Sequence, residues 1–446
     1  MMYIIGKYNG KKKLRAIFKL VKMKGILILL ALVLPFLASA QQTITLGECF
    51  ELVAENYPLA EQSVLLNEQN RLDIEAINKG KLPKLDVNAQ ATYQSDVVSL
   101  PIQIPNATID PPNKDQYRAT LDANQLIYNG GLINVSAKLT EAKGKVGQQE
   151  VEVNLYALKN QVNQLYLSVL LLQENRSLLE AKEKQLITRL EEVASGVKFG
   201  MLLPSSGDAL EVELLKVKQN YAELDFSKLG LLERLSLLIG RELNKDVALQ
   251  RPEVFMVADT ESKRPELMLF ELQKEQVELS TELLSRSKLP KLNAFAQGGY
   301  GNPGLNMLDN SFNTFYMTGL RLNWNVFDWN KNKTEKQSLQ INKEIIDTQR
   351  ETFELNINVE LAGLQSEIDK INGLISYDEA IIPLREKMLK AAESQLNNGV
   401  ITSSAYITEF TNLYEAKNSL ALHETQMLLK KIQYQIAKGT YMEIRN

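Results

Sequence analysis

The residues that could do chemistry are few. One histidine, His423, and one cysteine, Cys49, stand in a chain of 446 residues. A site built from several histidines and a disulfide framework both need more than one chain supplies here, and nothing groups a serine and an aspartate around His423. Gly298-Gly299-Tyr300-Gly301 has close glycines but no following helix that would make it a phosphate loop. The Glu- and Lys-rich stretch 180–192 reads as a solvated helix face. His423 reads as a surface or core residue in mid-helix, and Cys49 as an unpaired residue of the first helix. An enzyme therefore lacks its acid/base or metal constellation, and no cofactor is expected. What the rest of the chain does depends on how its long elements are placed.

Those elements come in two copies. Lys81-Leu-Pro-Lys-Leu-Asp-Val-Asn-Ala-Gln-Ala-Thr-Tyr93 returns as Lys288-Leu-Pro-Lys-Leu-Asn-Ala-Phe-Ala-Gln-Gly-Gly-Tyr300, an offset of 288 − 81 = 207 with eight of thirteen positions identical. Pro58 and Pro265 share that offset, while Leu121–Tyr128 and Leu320–Phe327 align at 199, as do Phe199-Gly200 and Asn398-Gly399. A repeat of this length governs the fold reading. It predicts two units, 41–250 and 251–446, after a leader of 1–40.

Within each unit the hydrophobic period changes from helical to alternating at the Leu-Pro pair, because proline lacks the N–H and clashes with the preceding turn. The first unit is expected to hold a helix over 46–79 broken near Pro58, strands at 86–95 and 117–128, and a long helix 132–196. A tip at 197–206 follows, with Ser205 or Ser206 as N-cap, and a returning helix ends at Gly240. The second unit repeats this as helix 265–287, strands 291–300 and 314–326, long helix 330–396 with a kink at Pro383, tip 397–403 and helix 404–438. Leu210, Val217, Leu224, Leu231 and Leu238 recur every seven residues, which is a coiled-coil seam. Few Pro and Gly, 13 and 23, agree with long helices.

Residues 24–40 combine a basic lead, an apolar run of about a dozen residues and Ala38-Ser39-Ala40, which is the form of a secretory signal peptide. Met23 is an alternative start. No cysteine follows Ala40, which argues against a lipid anchor. Removing 1–40 takes eight basic residues, 51 − 8 = 43, and leaves 43 − 54 = −11. So acidic a chain is a poor match for nucleic acid.

Each strand is about as long as one that crosses a bilayer at a tilt, which takes roughly 9–11 residues. On one face lie Val87, Tyr93, Tyr117, Leu121, Tyr316, Leu322 and Trp324, and on the other Asp86, Asn88, Asp122, Asn124, Arg321 and Asn323. Alternation alone favours a small soluble sheet packed on the helices. The order of elements, two strand pairs inserted between long helices behind an export signal, favours lipid. Four strands cannot close alone, and an open edge in lipid is forbidden, so several chains would have to share one barrel.

The chain resembles the outer-membrane efflux protein (TolC) family over essentially all of its mature length. The resemblance rests on Asn56-Tyr57-Pro58 and Arg264-Pro265-Glu266-Leu267, the two Lys-Leu-Pro-Lys-Leu motifs, and the junctions Leu126-Ile-Tyr-Asn-Gly-Gly131 and Asn325-Val-Phe-Asp-Trp-Asn330. It implies a mainly α fold of long coiled-coil hairpins with a membrane β-barrel part, four strands per chain and two internal repeats. Three chains would make the barrel and an α-helical tunnel, forming an outer-membrane export duct whose helices extend into the periplasm. Implied partners are two further copies, outer-membrane lipid, a periplasmic adaptor (membrane fusion) protein and an inner-membrane transporter. The adaptor would dock on the tips, at Phe199, Gly200, Met201, Pro204 and Ser205 and at Asn398, Gly399, Val400, Thr402 and Ser403; read without the resemblance, these are helix-hairpin turns. Where the family often carries acids past the second tip, this chain has Ala405 and Thr408, so Glu211 and Glu409 stand as substitutes at the tunnel mouth. The competing reading is a periplasmic coiled-coil structural or adaptor protein with a soluble β domain, although the compact β domain of such an adaptor is missing between the helices.

Overall fold

Thr45 opens the first helix with a capping box: its Oγ1 accepts from the Glu48 N–H at 3.1 Å while its own N–H donates to Glu48 Oε2 at 2.8 Å. The computed structural model describes residues 43–98, 111–254 and 262–440. Its order is β1 (Thr43–Ile44), α1 (Leu46–Asn56), α2 (Pro58–Lys79), β2 (Lys84–Tyr93), β3 (Asp115–Tyr128), α3 (Leu132–Lys198), α4 (Ser205–Ile239), β4 (Ala248–Leu249), α5 (Pro265–Ser287), β5 (Lys291–Asn302), β6 (Asn313–Asn323), α6 (Lys331–Asn397) and α7 (Ser403–Lys438). The expected leader 1–40, most of the loop around Asn106 and part of the 241–262 linker lie outside the described residues.

Pro58 sits at the first position of α2, where its missing N–H costs nothing, so the proline that ends α1 also starts the next helix. α3 and α6 each have 67 residues, which at about 1.5 Å per residue is about 100 Å. α6 continues as helix through Pro383.

β2, β3, β5 and β6 form one antiparallel sheet in that order. Register places Val87, Leu121, Gly298 and Tyr316 in one row and Asn88, Thr120, Gly299 and Phe315 in the next. Successive rows alternate faces. One face therefore carries Leu85, Val87, Tyr93, Tyr117, Leu121, Leu320 and Leu322, with Asp115, Gln125 and Asn302 towards its ends, and the other carries Lys84, Asp86, Asn88, Arg118, Asp122, Asn124, Gln297 and Arg321. A register shift between Leu126 and Tyr128 lets β3 pair on to its junction with α3. β6 stops at Asn323, three residues earlier than alternation suggested. Trp324 is therefore not a strand residue: its Nε1 donates to the Lys288 carbonyl at 3.1 Å and ties the sheet to the end of α5.

The two-residue strands β1 and β4 were not expected from the sequence. They pair in parallel, Thr43 with Ala248 and Ile44 with Leu249. The fully buried Tyr166 of α3 holds them, its hydroxyl 2.9 Å from the Ile44 carbonyl and 2.7 Å from that of Gln250. Around it lies the largest core, with Cys49, Val53, Val162, Leu235 and Ile432. Burial pushes the Cys49 thiol up to about 12, with Glu48 acting in the same direction. A second core at the far end of the hairpins gathers Leu179, Leu186, Leu210, Leu396, Tyr406 and Phe410.

The seven-residue seam of α4 holds only in part. Leu210 and Val217 are buried, but beyond Leu224 the buried positions become Leu232, Leu235 and Ile239, one residue later than Leu231 and Leu238. An α-helix has about 3.6 residues per turn rather than 3.5, so a straight helix drifts off a strict heptad by about 20° each repeat.

Candidate functional site: two hairpin tips and one two-faced sheet

Both tips close in the same way. At the end of α3, Phe199 is the C-cap and Gly200 turns left-handed, φ +73. The Gly200 N–H then donates to the Val197 carbonyl at 3.1 Å and the Met201 N–H to Gly196 at 2.8 Å. At the end of α6, Asn398 is the C-cap and Gly399 has φ +70, with Gly399 donating to Leu396 at 3.0 Å and Val400 to Gln395 at 2.8 Å. Each is a Schellman ending, and only glycine enters its left-handed position without strain. A Cβ built on either glycine would meet no atom within 4 Å, so both turns stand free of their own fold. Phe199 (71% exposed), Met201 (70%) and Val400 (70%) project from them.

The restarts of the helices differ. Thr402 is a true N-cap, its Oγ1 accepting from the Ala405 N–H at 3.3 Å. Ser205 and Ser206 are not caps: α4 begins at Ser205 after Pro204 in an α conformation, with no side-chain cap bond. The fixed φ of proline already matches the helix and leaves the serines inside it. Ser403 does not cap either; it is the first residue of α7, buried, and its hydroxyl has no partner among the described residues. Of the two substitute acids, Glu211 is exposed, whereas Glu409 is half-buried with a carboxylate oxygen 3.6 Å from Arg385 Nη1.

Two charged contacts behind the tips carry no sequence signal, because charges on exposed-looking helices read as solvated faces. Arg189, almost wholly buried, joins the two hairpins: it donates to Glu192 at 2.5 Å, to Asn397 Oδ1 at 3.0 Å and to Glu393, with its guanidinium 4.8 Å from the Tyr406 ring centre. Lys182 of α3 donates to Glu213 of α4 at 2.8 Å. Burial works against the Glu213 carboxylate, but the hydrogen bonds and charges of Lys182 and Lys216 outweigh it and hold its pKa below the ordinary value. His423 Nδ1 lies 2.5 Å from Asp378 Oδ2, linking α7 to α6.

The sheet is the other candidate surface. Its apolar face packs on no helix: Val87 is 79% exposed and Tyr316 81%, and Tyr93, Tyr117, Leu121 and Leu322 are all open. At its loop end Phe312 stacks between Tyr117 and Tyr300, centroids 6.2 and 5.4 Å apart. At its helix end Trp324 is exposed and Phe327 meets Trp329 edge-on, centroids 4.8 Å apart. On the polar face Asp122 accepts from Asn88 at 2.7 Å, Thr120 at 2.9 Å and Gln297 at 2.5 Å. Among the described residues no group of His, Cys, Asp and Glu could hold a metal ion, and no helix is long and apolar enough to cross a membrane.

Comparison with known proteins agrees with this geometry. The outer membrane efflux protein family model matches residues 53–241 and 257–437. A search of curated protein sequences returns no significant match. Among solved structures, CusC, described as undergoing conformational changes with folding and transmembrane channel formation, superposes with a TM-score of 0.65 at 13% identity, covering 89% of this chain and 92% of its own. The outer membrane protein VceC of Vibrio cholerae gives 0.63 at 14%, with 89% and 96% covered. The open state of the MtrE outer membrane channel of Neisseria gonorrhoeae gives 0.63 at 15%, with 89% of each.

Proposed function

The chain belongs to the outer membrane efflux protein family, and from that premise we propose that three copies form a passive export duct. The duct joins a twelve-stranded barrel in the outer membrane to a helical tunnel in the periplasm. The observation that carries this is the sheet. Its apolar face is uncovered, aromatic side chains lie at both ends, and β2 and β6 are edges without partners among the described residues. In lipid an open edge leaves backbone groups unpaired, so neighbouring copies must supply β6 to β2 pairing around a ring.

The helices support the same assembly. On α6, Leu374, Tyr377, Ile381, Leu384 and Met388 follow three- and four-residue steps and are all exposed. That stripe is half of a coiled-coil seam whose other half lies on another chain. The free tips, with their apolar side chains, suit a periplasmic adaptor that leads to an inner-membrane transporter. Glu211 and Glu409 are the acids nearest the tunnel mouth in this arrangement, though the contact to Arg385 ties Glu409 back to α6. A periplasmic coiled-coil protein with a soluble β domain would pack its sheet on its own helices, and this sheet does not.

Membrane fractionation with native electrophoresis tests the reading. The protein should stay with outer membranes until detergent is added and migrate as a heat-resistant trimer. Release by salt alone, as a monomer, would overturn it.

A further inference from the structure

We infer that the barrel lumen favours anionic solutes, through the guanidinium groups of Arg118 and Arg321; the inference rests on reading the polar sheet face as the wall of the duct. The two arginines are built into that face by the same three-part device. Phe315 lies across the strand from Gly299 and covers it, so closely that a Cβ there would run into the ring. Phe295 covers Gly319 in the same manner, with a built Cβ 2.9 Å from the ring. Arg118 then sits over Phe315, 5.6 Å from its centre, and Arg321 over Phe295 at 5.1 Å.

A ring face attracts a cation without cancelling its charge, unlike a carboxylate partner. Within the chain each guanidinium has such a ring as its partner, Phe315 for Arg118 and Phe295 for Arg321. The opposite sign is treated differently: Asp122 is enclosed by the donors of Asn88, Thr120 and Gln297. By alternation the face holds Lys84, Arg118, Lys291 and Arg321 against Asp86 and Asp122, an excess of 4 − 2 = 2 positive charges per chain. Three copies give six, within a protein whose mature sequence is acidic. Rings of one charge within a low-dielectric wall concentrate the opposite ion and set pore selectivity. The chemical class so favoured is the anion, whether chloride or an organic carboxylate, phosphate or sulfonate.

The test is the reversal potential of the purified trimer in a planar bilayer across a tenfold KCl gradient at low ionic strength, where screening is weakest. The wild type should show the sign of chloride preference. Arg118→Gln with Arg321→Gln should move the potential toward potassium, and Arg118→Lys with Arg321→Lys, which keeps charge while losing the planar stack, should hold it near wild type. A potassium-preferring wild type, or a Gln pair with an unchanged potential, overturns the inference while leaving the duct intact. Inserted trimers that carry no current at all overturn the duct reading, and this inference with it.

Discussion

Lys182 and Glu213 face each other at 2.8 Å across the first helical hairpin, with 5% and 7% of their side chains exposed. The Lys182 ammonium also lies 4.7 Å from the centre of the Tyr414 ring, so α3, α4 and α7 meet at one charge. Removing one partner strands the other in an apolar layer, which costs about 3–5 kcal/mol, whereas replacing both with apolar residues is often neutral. Glu213→Ala is therefore expected to lower the unfolding midpoint of the protein markedly, and Lys182→Met with Glu213→Leu to restore most of it. Thermal melts followed by circular dichroism decide between these outcomes.

The same pair gives a pH dependence of definite sign. Glu213 has a folded pKa held below its ordinary value of 4.5. Its contribution is thus fully present above pH 4.5 and is lost as pH falls through the lower, folded value. Acid titration of the wild type should show a loss of hairpin stability below pH 4.5 that is reduced in the Met/Leu double variant. Identical acid curves for both proteins would remove Glu213 from the account.

Much of this architecture was legible because two signals are non-local and redundant. The 207-residue offset of the Lys-Leu-Pro-Lys-Leu motif and the change of period at each proline can be read without knowing any contact, and α2 and α5 end beside those motifs, at Lys79 and Ser287. The left-handed turn at Gly130-Gly131 even reappears at Trp329-Asn330, φ 53 and 63, where the sequence has no glycine. What escaped reading depends on partners distant in sequence. β1 and β4 are two residues each and exist because Tyr166 and a core hold them. Trp324 was assigned to a strand by alternation, yet its indole N–H is taken by Lys288. Arg189, Lys182 and Glu213 looked like solvated charges, since helical spacing does not tell which charged residue faces another hairpin.

Leu121 and Asn124 separate the two faces of β3. Leu121 sits in the row of Val87 and Gly298 on the apolar face, Asn124 in the row of Lys84 and Phe295 on the polar one. On the proposed lipid-facing side, Leu121→Arg places a charge against acyl chains at a cost of roughly 2–4 kcal/mol near the midplane, while Asn124→Arg on the proposed lumen side meets water. The first should reduce heat-resistant trimer in outer membranes and the second should not. Equal trimer yields would remove the lipid-facing assignment.

Cys49 offers an internal reporter. It is fully buried and its thiol is pushed up to about 12, so the reactive thiolate is scarce at pH 8. The folded protein should resist maleimide until denaturant opens the core of α1, α3 and α4, and labelling should then follow the unfolding curve. Rapid labelling in native buffer would show that the first helix undocks on its own.

The loop of residues 303–312 lies at the end of the sheet opposite the long helices and their tips. Asn306 is exposed there, and Asn106 occupies the matching loop outside the described residues. In a Cys49→Ala background, cysteines at Asn306 and Asn106 should react with an impermeant maleimide on intact cells. Labelling only after lysis would reverse the orientation.

The tips decide whether the glycine turns dock a partner or only reverse the chain. Gly200 and Gly399 share a left-handed conformation in which an added side chain costs about 1 kcal/mol, and each has open space where a Cβ would go. A substitution there should therefore leave the tunnel folded and change only what approaches from outside. Under the proposed assembly, Gly399→Asp with Gly200→Asp is expected to give normal amounts of trimer and normal melting, yet to abolish crosslinking to the proposed adaptor and export of a pump substrate. Gly240 is no suitable control, because a Cβ there would sit 2.7 Å from Asn56 and disturb the core. Gly131 is suitable: it has φ +80, nothing within 4 Å, and lies at the opposite end of α3. Gly131→Asp imposes the same backbone strain away from the tips, so it should preserve crosslinking and export. Full export from the Gly200/Gly399 double variant would show that these turns only reverse the chain, and the adaptor contact would have to be sought along the hairpin flanks.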